Sequence, residues 1–322
     1  MKYYNKMTFL CYVDAIDYAK SYKPAGSPVE EILDPALKNS GIRLLIKRDD
    51  LIHEHISGNK WRKLKYNLSE AVQQNHHTLL TFGGAYSNHI SATAFACQKT
   101  GLESIGIIRG EDDSTNPTLR FAIEHGMNLK FVSREDYKNK TQEHFLEALE
   151  DEFGKCFIVP EGGANGLGVR GCAEILAEVE EDFDVVCSSA GTGTTLAGLA
   201  IGLKEHQKLI GFPSLKGGDF LYAEVKSLMD EARLRIPTNL NFELFTDYHF
   251  GGYAKLKPEL LDFIKGFKER TGIPLDPIYT GKMMFGIYDC ISKGLFGNNT
   301  TILAIHTGGL QGWNGMKHRN LI

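Results

Sequence analysis

The stretch Asp184–Leu203, "DVVCSSAGTGTTLAGLAIGL", contains the unit from which the fold can be predicted. A short apolar run comes first, a turn rich in glycine and threonine follows, and a run of small apolar residues continues the chain. This order predicts a buried strand that turns directly into a helix. A strand followed at once by a helix is the repeating unit of parallel sheets.

The same alternation of strand and helix continues along the chain from residue 77 onward. Strands separated by helices cannot pair antiparallel through tight turns, so we expect parallel-rich twisted sheets covered by helices. The sequence therefore predicts an α/β protein. Asn116 and Pro117 predict one helix start, with an Asn cap and a proline in the first turn. The predicted strands are "HTLLTFGG" (77–84), "SIGIIRG" (104–110), "NLKFVSR" (128–134), "CFIVPEGG" (156–163), "DVVCSSAG" (184–191) and "KLIGF" (208–212).

Size and composition limit the classes of protein that the chain can belong to. Its 322 residues allow two packed domains, and no Pro-rich linker marks a boundary between them. Lys and Arg total 36 against 40 for Asp and Glu. This balance favours a small-molecule partner over nucleic acid or an anionic membrane.

Cysteine spacing and the N-terminal sequence predict the compartment. The six cysteines form no C-x-x-C pair, which favours reduced thiols in the cytoplasm over a disulfide framework or a zinc site. The N-terminus lacks the apolar core of a signal peptide, and no segment is long enough to span a membrane. His53 and His55 lack further ligands at metal-binding spacing, so we expect no metal site.

The turn in Cys187–Gly198 predicts an anion site. Gly191 and Gly193 allow backbone N–H groups to turn toward an anion such as a phosphate. The alternative is a turn that only lets strand and helix pack closely. A dinucleotide site would need an acid after "KLIGF", and a P-loop would need G-x-x-x-x-G-K-[ST]; the chain has neither. Hydroxyl groups that can add donors belong to Ser188, Ser189, Thr192, Thr194 and Thr195.

The stretch Thr81–Ala92, "TFGGAYSNHISA", predicts a second polar site. Two glycines end a strand, and Ser87, Asn88 and His89 then fall at a helix start, where side-chain and backbone donors point outward together. Such donors suit a carboxylate. The alternative is ordinary capping by Ser87 or Asn88, which needs no ligand.

The stretch Ser57–Leu68, "SGNKWRKLKYNL", predicts a helix that begins on a cluster of basic residues. Ser57 or Asn59 can cap it, and Lys60 lies in its first turn, with Lys63 one turn further on. A lysine beside other cations and a helix N-terminus should have a lowered pKa, which favours the free amine needed for a Schiff base. The alternative is a solvated basic helix end. The expected buried stripe is Leu64, Leu68 and Ala71 or Val72.

The three sites together favour one ligand. A cofactor phosphate on the threonine-rich turn, a substrate carboxylate at Ser87 and Asn88, and an amine at Lys60 are the contacts that pyridoxal 5′-phosphate (PLP) and a small amino acid require.

Five motifs in this order resemble those of the fold-type-II PLP enzymes, whose fold is like that of the tryptophan synthase β chain. More narrowly, they resemble the branch that contains 1-aminocyclopropane-1-carboxylate (ACC) deaminase and D-cysteine desulfhydrase. The resemblance extends over about residues 40 to 315, and ordered motifs are more specific than any single one. The motifs are "GNKWRKL" (58–64), "GGAYSNHISATA" (83–94), "GTGTTLAGLAIGL" (191–203), "DPIYTGKMMFGI" (276–287) and "ILAIHTGGLQG" (302–312).

The resemblance implies a role for each matching position. Lys60 would carry the cofactor as a Schiff base, and Asn88 would hydrogen-bond the 3′-oxygen of its ring. Ser87 and His89 would lie near the substrate carboxylate or the reacting carbon, and Tyr279 would stack near the ring and act on the substrate. Phosphate contacts would come from Lys63, Gly191, Thr192, Gly193, Thr194 and Thr195.

Two positions depart from the usual family pattern. Tyr253, in "HFGGYAK", would contact the substrate, but its neighbours differ from the Gly-rich string of relatives. Trp61 stands where relatives often have a small polar residue, which leaves the shape of the pocket and the role of Trp61 open. Arg62 and Lys65 are expected to face solvent or the other domain.

Two threonines predict which branch reaction the chain catalyses. Ring-opening relatives resemble "YEGK" and "HLGG", whereas Thr280 and Thr307 stand in "YTGK" and "HTGG", as in desulfhydrase-like members. A carboxylate near the pyridine nitrogen keeps it protonated, and a neutral hydroxyl does not. The resulting weaker electron sink suits β-elimination, so we expect a D-cysteine desulfhydrase-like lyase giving pyruvate, ammonia and sulfide.

The motifs leave other interpretations of the activity open. One is true ACC deaminase activity, which opens the ring to 2-oxobutyrate and ammonia. Others are a racemase, dehydratase or β-replacement enzyme of the same fold, and a PLP-binding protein without turnover. Thr280 and Thr307 could also be packing residues. The resemblance implies a homodimer with a large domain (residues 1–50 and 160–322) and a small domain (51–159).

Overall fold

A computed structural model gives the architecture of the chain and describes residues 27–113 and 115–322. Cys11 and the segment on which the signal-peptide prediction rests lie outside these residues. The described strands form two sheets.

The larger sheet has six strands in the order β1-β2-β10-β7-β8-β9. All neighbours are parallel except β1 and β2, which are antiparallel. One of its two middle strands, β7, is buried along its whole length, as is typical of a strand with helices on both faces. The strands are β1 (Val29–Glu31), β2 (Arg43–Lys47), β7 (Val185–Ala190), β8 (Lys208–Pro213), β9 (Phe242–Leu244) and β10 (Thr301–Ile305).

The smaller sheet has four strands in the order β5-β4-β3-β6, all parallel. Its strands are β3 (Thr78–Gly84), β4 (Glu103–Arg109), β5 (Met127–Val132) and β6 (Phe157–Val159). The prediction of an α/β protein with parallel-rich sheets is confirmed.

Ten α-helices cover the two sheets in the described part of the chain. The third begins at Pro117 with Asn116 as its cap, as predicted: the Asn116 side chain accepts from the backbone N–H of Thr118 and Leu119. The helices are α1 (Asn59–Gln73), α2 (Asn88–Thr100), α3 (Pro117–Glu124), α4 (Glu143–Phe153), α5 (Gly166–Ala177), α6 (Thr194–Gly202), α7 (Leu221–Ala232), α8 (Pro258–Thr271), α9 (Thr280–Ser292) and α10 (Gly312–His318). None of the helices within the described ranges is long and apolar enough to cross a membrane.

Helix α1 packs on the smaller sheet through the predicted apolar stripe. Leu64, Leu68, Ala71 and Val72 are all buried in one cluster with residues of α2 and β3. Trp61 lies in the same cluster with 2% of its surface exposed. The Trp61 ring therefore fills the core of this cluster.

The segments of the predicted site follow the carboxyl ends of parallel strands. The threonine-rich turn follows β7, Ser87 follows β3, and the loop at residues 306–309 follows β10. Ligands of open α/β sheets collect at this edge, where strands end and helices begin.

Candidate active site

Helix α1 begins directly against the loop that follows β10. Gly58 is the N-cap, with φ of 62°, and a Cβ added there would lie 2.0 Å from the Thr307 carbonyl oxygen. The predicted cap by Ser57 or Asn59 is wrong, because no side chain caps this helix. Only glycine tolerates both the positive φ and the close approach of Thr307. The contact fixes where the first turn of α1 lies.

Lys60 lies in that first turn, with a lowered pKa. Its Nζ donates to Asn59 Oδ1 at 3.0 Å, and Asn59 Nδ2 donates to Thr195 Oγ1 at 2.9 Å. Burial lowers the pKa of Lys60 to about 7, with the charge of Lys63 adding to the effect. The predicted direction is confirmed, although burial rather than neighbouring charge is the larger cause. At neutral pH a substantial fraction of this amine is unprotonated.

Lys63 lies one turn further along α1 and points at a glycine pair after β6. Its Nζ donates to the Gly162 carbonyl at 3.2 Å, and burial lowers its pKa. Gly162 and Gly163 have φ of 70° and 69°. A Cβ on Gly163 would lie 3.0 Å from Lys63 Cβ and 3.4 Å from His89 Cε1. Glycine at these positions therefore lets the loop pack closely against Lys63 and His89; "PEGG" is the signal that could have identified it.

The threonine-rich turn lies beside this glycine pair. A Cβ on Gly162 would lie 2.9 Å from Thr192 Cγ2, and the Thr192 and Thr194 hydroxyls are 3.1 Å apart. Gly193 is the N-cap of α6, with φ of 83°. The first N–H groups of a helix have no intrahelical partner. Free N–H groups, hydroxyls and the Lys63 ammonium together can hold a phosphate.

Ser87, Asn88 and His89 open α2, as predicted. Ser87 is the N-cap and its Oγ accepts from the backbone N–H of Ile90 at 3.4 Å. The Asn88 side chain reaches the loop after β10: a Cβ on Gly309 would lie 2.9 Å from Asn88 Nδ2. The structure thus brings the β3 and β10 loops together.

His89 is buried in its neutral form, with one ring nitrogen lacking a partner. Thr81 Oγ1 donates to the Val159 carbonyl at 2.8 Å, so at 2.9 Å from His89 Nε2 it must accept a proton from the ring. His89 Nδ1 then carries a lone pair, and it has no hydrogen-bond partner among the described residues. Burial, and then the charges of Lys60 and Lys63, hold the pKa of His89 well below its usual value. A bound ligand could supply the missing donor.

Tyr279 faces the turn that holds Gly191, and Tyr253 packs against Tyr279. A Cβ on Gly191 would lie 3.3 Å from Tyr279 Cε1. The Tyr253 and Tyr279 rings meet edge to face, with centroids 6.1 Å apart. Burial raises the pKa of Tyr279 well above its usual value, so its phenol stays protonated and can donate a hydrogen bond.

Thr280 and Thr307 occupy different surroundings. The Thr280 hydroxyl donates to Asp276 Oδ2 at 2.6 Å and accepts from the Asp276 backbone N–H at 2.9 Å. The Thr307 hydroxyl lies 3.3 Å from Ser189 Oγ. Asp276 is fully buried and also accepts from the backbone N–H groups of Ile278 and Tyr279, so it caps α9. Our sequence reasoning missed Asp276, although the acid lies inside a motif that it used.

Arg62 is buried within an ionic network. It contacts both Asp49 and Glu178, whereas Lys65 pairs with Glu174 of α5. The interpretation of Arg62 as a solvent-facing residue is wrong, and its two carboxylate partners lie in the segments predicted for the other domain. Asp49 opens a short 3-10 turn and is buried and charge-paired.

No candidate metal centre is found within residues 27–113 and 115–322. No group of three or more His, Cys, Asp or Glu side chains there could hold an ion. His53 lies in a loop, and its Nδ1 accepts from the backbone N–H of His55 at 2.9 Å. The five described cysteines are all free.

Comparisons with known proteins agree on one family. A family model described as "Pyridoxal-phosphate dependent enzyme" matches residues 23–308. A "Putative 1-aminocyclopropane-1-carboxylate deaminase" of Pyrococcus horikoshii is 36% identical over 282 residues, which cover 84% of this chain and 86% of that protein. A "Bifunctional D-cysteine desulfhydrase/1-aminocyclopropane-1-carboxylate deaminase, mitochondrial" of Arabidopsis thaliana is 34% identical over 314 residues, 89% of this chain and 77% of that protein.

A solved structure agrees with the sequence relatives. The crystal structure of an "ACC deaminase homologue" superposes with a TM-score of 0.80 at 31% identity, and covers 96% of this chain and 99% of that chain.

Proposed function

Because the chain belongs to the pyridoxal-phosphate dependent enzymes, we propose that it eliminates sulfide from a small amino acid of the D-cysteine type. The balanced reaction consumes one water and gives pyruvate, ammonia and hydrogen sulfide. Its cofactor is pyridoxal 5′-phosphate, which when bound supplies the electron sink for the carbanion at Cα. The protein supplies binding, orientation and proton transfer.

The residues present fit this cofactor. Lys60 offers an amine for the aldehyde, and the Gly191–Thr195 turn with Lys63 offers donors for the phosphate. His89 Nδ1, which has no partner among the described residues, can accept a hydrogen bond from a bound ligand. We propose Asn88 for the ring oxygen and the Ser87 helix start for the substrate carboxylate.

Two residues are proposed to move or hold protons. Lys60, whose pKa is about 7, can take the proton from Cα of the bound amino acid. Tyr279 keeps its phenol proton and can donate a hydrogen bond to the departing sulfur, with Tyr253 packed beside it. His89 stays neutral, so it acts as an acceptor and not as a general acid.

The observation that carries the choice of reaction is the state of Thr280. The resemblance puts residue 280 near the pyridine nitrogen, and here it is a neutral hydroxyl whose proton is donated to Asp276. The Thr307 hydroxyl likewise adds no charge. A ring nitrogen that meets a hydroxyl instead of a carboxylate at residue 280 is a weaker electron sink, which suits loss of a good leaving group better than carbon–carbon cleavage.

ACC deaminase activity is the second candidate. The names of the similar proteins from Pyrococcus horikoshii and Arabidopsis thaliana include this activity. In that case the same Lys60 and Tyr279 would serve ring opening to 2-oxobutyrate and ammonia.

We also propose the organisation in which the enzyme works. Residues 1–50 and 160–322 would form the large domain and 51–159 the small domain; the four-stranded sheet, with strands between residues 78 and 159, supports this division. A homodimer in the cytoplasm is proposed on the family resemblance and on the free state of the described cysteines.

The experiment is a substrate panel on the purified, cofactor-loaded protein. D-cysteine, L-cysteine, D-serine and ACC are supplied separately, and sulfide, pyruvate, 2-oxobutyrate and ammonia are measured. We expect equimolar sulfide and pyruvate from D-cysteine and little 2-oxobutyrate from ACC. Production of 2-oxobutyrate at a rate comparable with sulfide release would favour the second candidate.

A further inference from the structure

A buried lysine outside the Lys60–Lys63 pair holds a ring of backbone carbonyls. Lys282, in the first turn of α9, has 1% of its surface exposed. Its Nζ donates to the carbonyls of His249 at 2.9 Å and Gly252 at 2.8 Å, and reaches that of Ser214 at 3.5 Å. Burial lowers its pKa to about 8, with Asp276 acting in the opposite direction. The side chain thus joins α9, the end of β8 and the turn after residue 249.

The turn that Lys282 holds has an unusual backbone. Phe250, Gly251, Gly252 and Ala254 all have positive φ, at 53°, 95°, 119° and 52°. Phe250 and Ala254 are not glycines, so their left-handed conformations persist only where the surroundings enforce them. Of the Lys282 acceptors, His249 directly precedes this run and Gly252 lies within it. The ammonium is therefore placed to enforce the conformation.

The same turn presents Tyr253 to the active site. Tyr253 lies between Gly252 and Ala254, and its ring meets the Tyr279 ring edge to face. Tyr279 immediately precedes α9, the helix that carries Lys282. One lysine thus ties the turn carrying one tyrosine to the helix beside the other.

We propose that Lys282 is a positioning residue, whose ammonium clamps the turn at residues 249–254 and so fixes Tyr253 against Tyr279 over the reacting atoms. The inference rests on the proposed function, in which Tyr253 and Tyr279 face the substrate. An apolar replacement would remove the ammonium donor from the His249 and Gly252 carbonyls and leave each with its backbone donor alone, so the turn would relax away from α9.

The first test measures the turn itself by hydrogen exchange on the cofactor-loaded protein. The amides of Gly252 and Lys255 donate to the two carbonyls that Lys282 holds, the acceptors being His249 and Gly252. In Lys282→Met we expect these amides to exchange about 10-fold faster or more. Lys255→Met, an exposed lysine of the neighbouring chain, is the matched control and should leave the Gly252 amide unchanged. Unchanged exchange in Lys282→Met would overturn the clamp.

The second test asks whether Lys282 acts through Tyr253. We expect Lys282→Met to lower kcat by roughly 10- to 100-fold, because a misplaced side chain near the reacting atoms costs about that much. Combined with Tyr253→Ala, it should add little further loss, since the ring that it positions is gone. Losses that multiply in the double variant would contradict the proposal. If Lys282→Met does not fold, Lys282→Leu, which also lacks a donor, takes its place in both tests.

The two proposals fail separately. If Gly252 exchanges faster in Lys282→Met but the wild-type protein releases no sulfide from D-cysteine, the clamp is supported and the proposed function is contradicted. If exchange is unchanged in Lys282→Met and the wild-type protein releases sulfide, only the clamp is contradicted.

Discussion

Lys60 is the residue on which the chemistry depends, and its surroundings make it a reactive amine. Burial beside Lys63 favours the neutral form, which lowers the pKa to about 7 from an ordinary value of 10.5. Because the pKa is lowered, the amine is free above about pH 7 and protonated below it. A lysine on the surface would be protonated at neutral pH.

This pKa predicts how fast the apo-protein captures its cofactor. We expect the rate at which yellow absorbance forms to rise with pH and to level off above about pH 7, because only the free amine attacks the aldehyde. Stopped-flow mixing at a series of pH values measures it. The same reaction with N-acetyl-lysine is the control for ionisation of the cofactor itself. A protein profile that keeps rising toward pH 10.5 would contradict the burial of Lys60.

Some properties of individual residues could be predicted from sequence and others could not. The helix start at Ser87 and the lowered pKa of Lys60 follow from local signals. The unpartnered nitrogen of His89 does not, because it depends on Thr81 and Val159, which lie on two different strands. The capping role of Asp276 follows from its place before α9, although a motif comparison alone does not reveal it.

At the scale of elements, the position of α1 is set by close packing against α5. Gly171 lies inside α5, and a Cβ there would be 1.8 Å from the Arg62 carbonyl oxygen. The two helices can therefore approach this closely only with glycine at that position. Since α1 carries Lys60 and Lys63, the contact also locates the amine.

Replacing Gly171 by alanine should destabilise the protein. Overpacking against a backbone carbonyl costs about 1–3 kcal/mol, which exceeds the gain of about 0.5–1 kcal/mol from putting alanine in a helix. Denaturant unfolding measures the change. Gly266→Ala in α8 is the control: its Cβ would meet only the flexible end of Arg270, so it should stabilise by about 0.5–1 kcal/mol. Equal effects of the two substitutions would show that α1 and α5 can separate freely.

The start of α1 shows why a correct helix prediction can carry a wrong cap. Periodicity identified the helix and its buried stripe, because these are local patterns. Ser57 and Asn59 have the composition of caps, but Gly58 takes the position because Thr307 approaches from a distant part of the chain. Sequence periodicity contains no information about that approach.

At the scale of the whole molecule, a buried ionic network links segments that are far apart in sequence. Arg62 of α1 pairs with Asp49, after β2, and with Glu178, at the end of α5. The side chains of Arg62 and Asp49 are 2% and 0% exposed. Lys47 adds a contact to Glu178 at 3.1 Å. The network connects the N-terminal strands of the larger sheet with the helix that carries Lys60.

Breaking this network should be costly. Arg62→Met leaves Asp49 buried without its guanidinium partner, which we expect to lower the free energy of unfolding by about 3–5 kcal/mol. Arg43→Met removes an ion pair to Glu31 in which both side chains are more than 40% exposed. This substitution should change the free energy of unfolding by about 1 kcal/mol or less. Chemical denaturation of both variants makes the comparison. A loss for Arg62→Met as small as that for Arg43→Met would contradict a structural role for the network.

The fold class and the enzyme family were predictable because both follow from ordered motifs. Strand-turn-helix units predicted the parallel sheets, and five motifs predicted a PLP enzyme, which the family match confirms. The burial of Arg62 could be predicted only in part, since its carboxylate partners are placed by the packing of α1 on α5. Charge patterns in one segment cannot identify partners in another.

The attachment site of the cofactor tests the central claim most directly. The purified yellow protein is reduced with borohydride, digested, and searched for the pyridoxyl label by mass spectrometry. We predict the label on Lys60 and its loss, together with the yellow colour, in Lys60→Ala. A label on Lys63, Lys282 or another lysine in the wild-type protein would contradict the account.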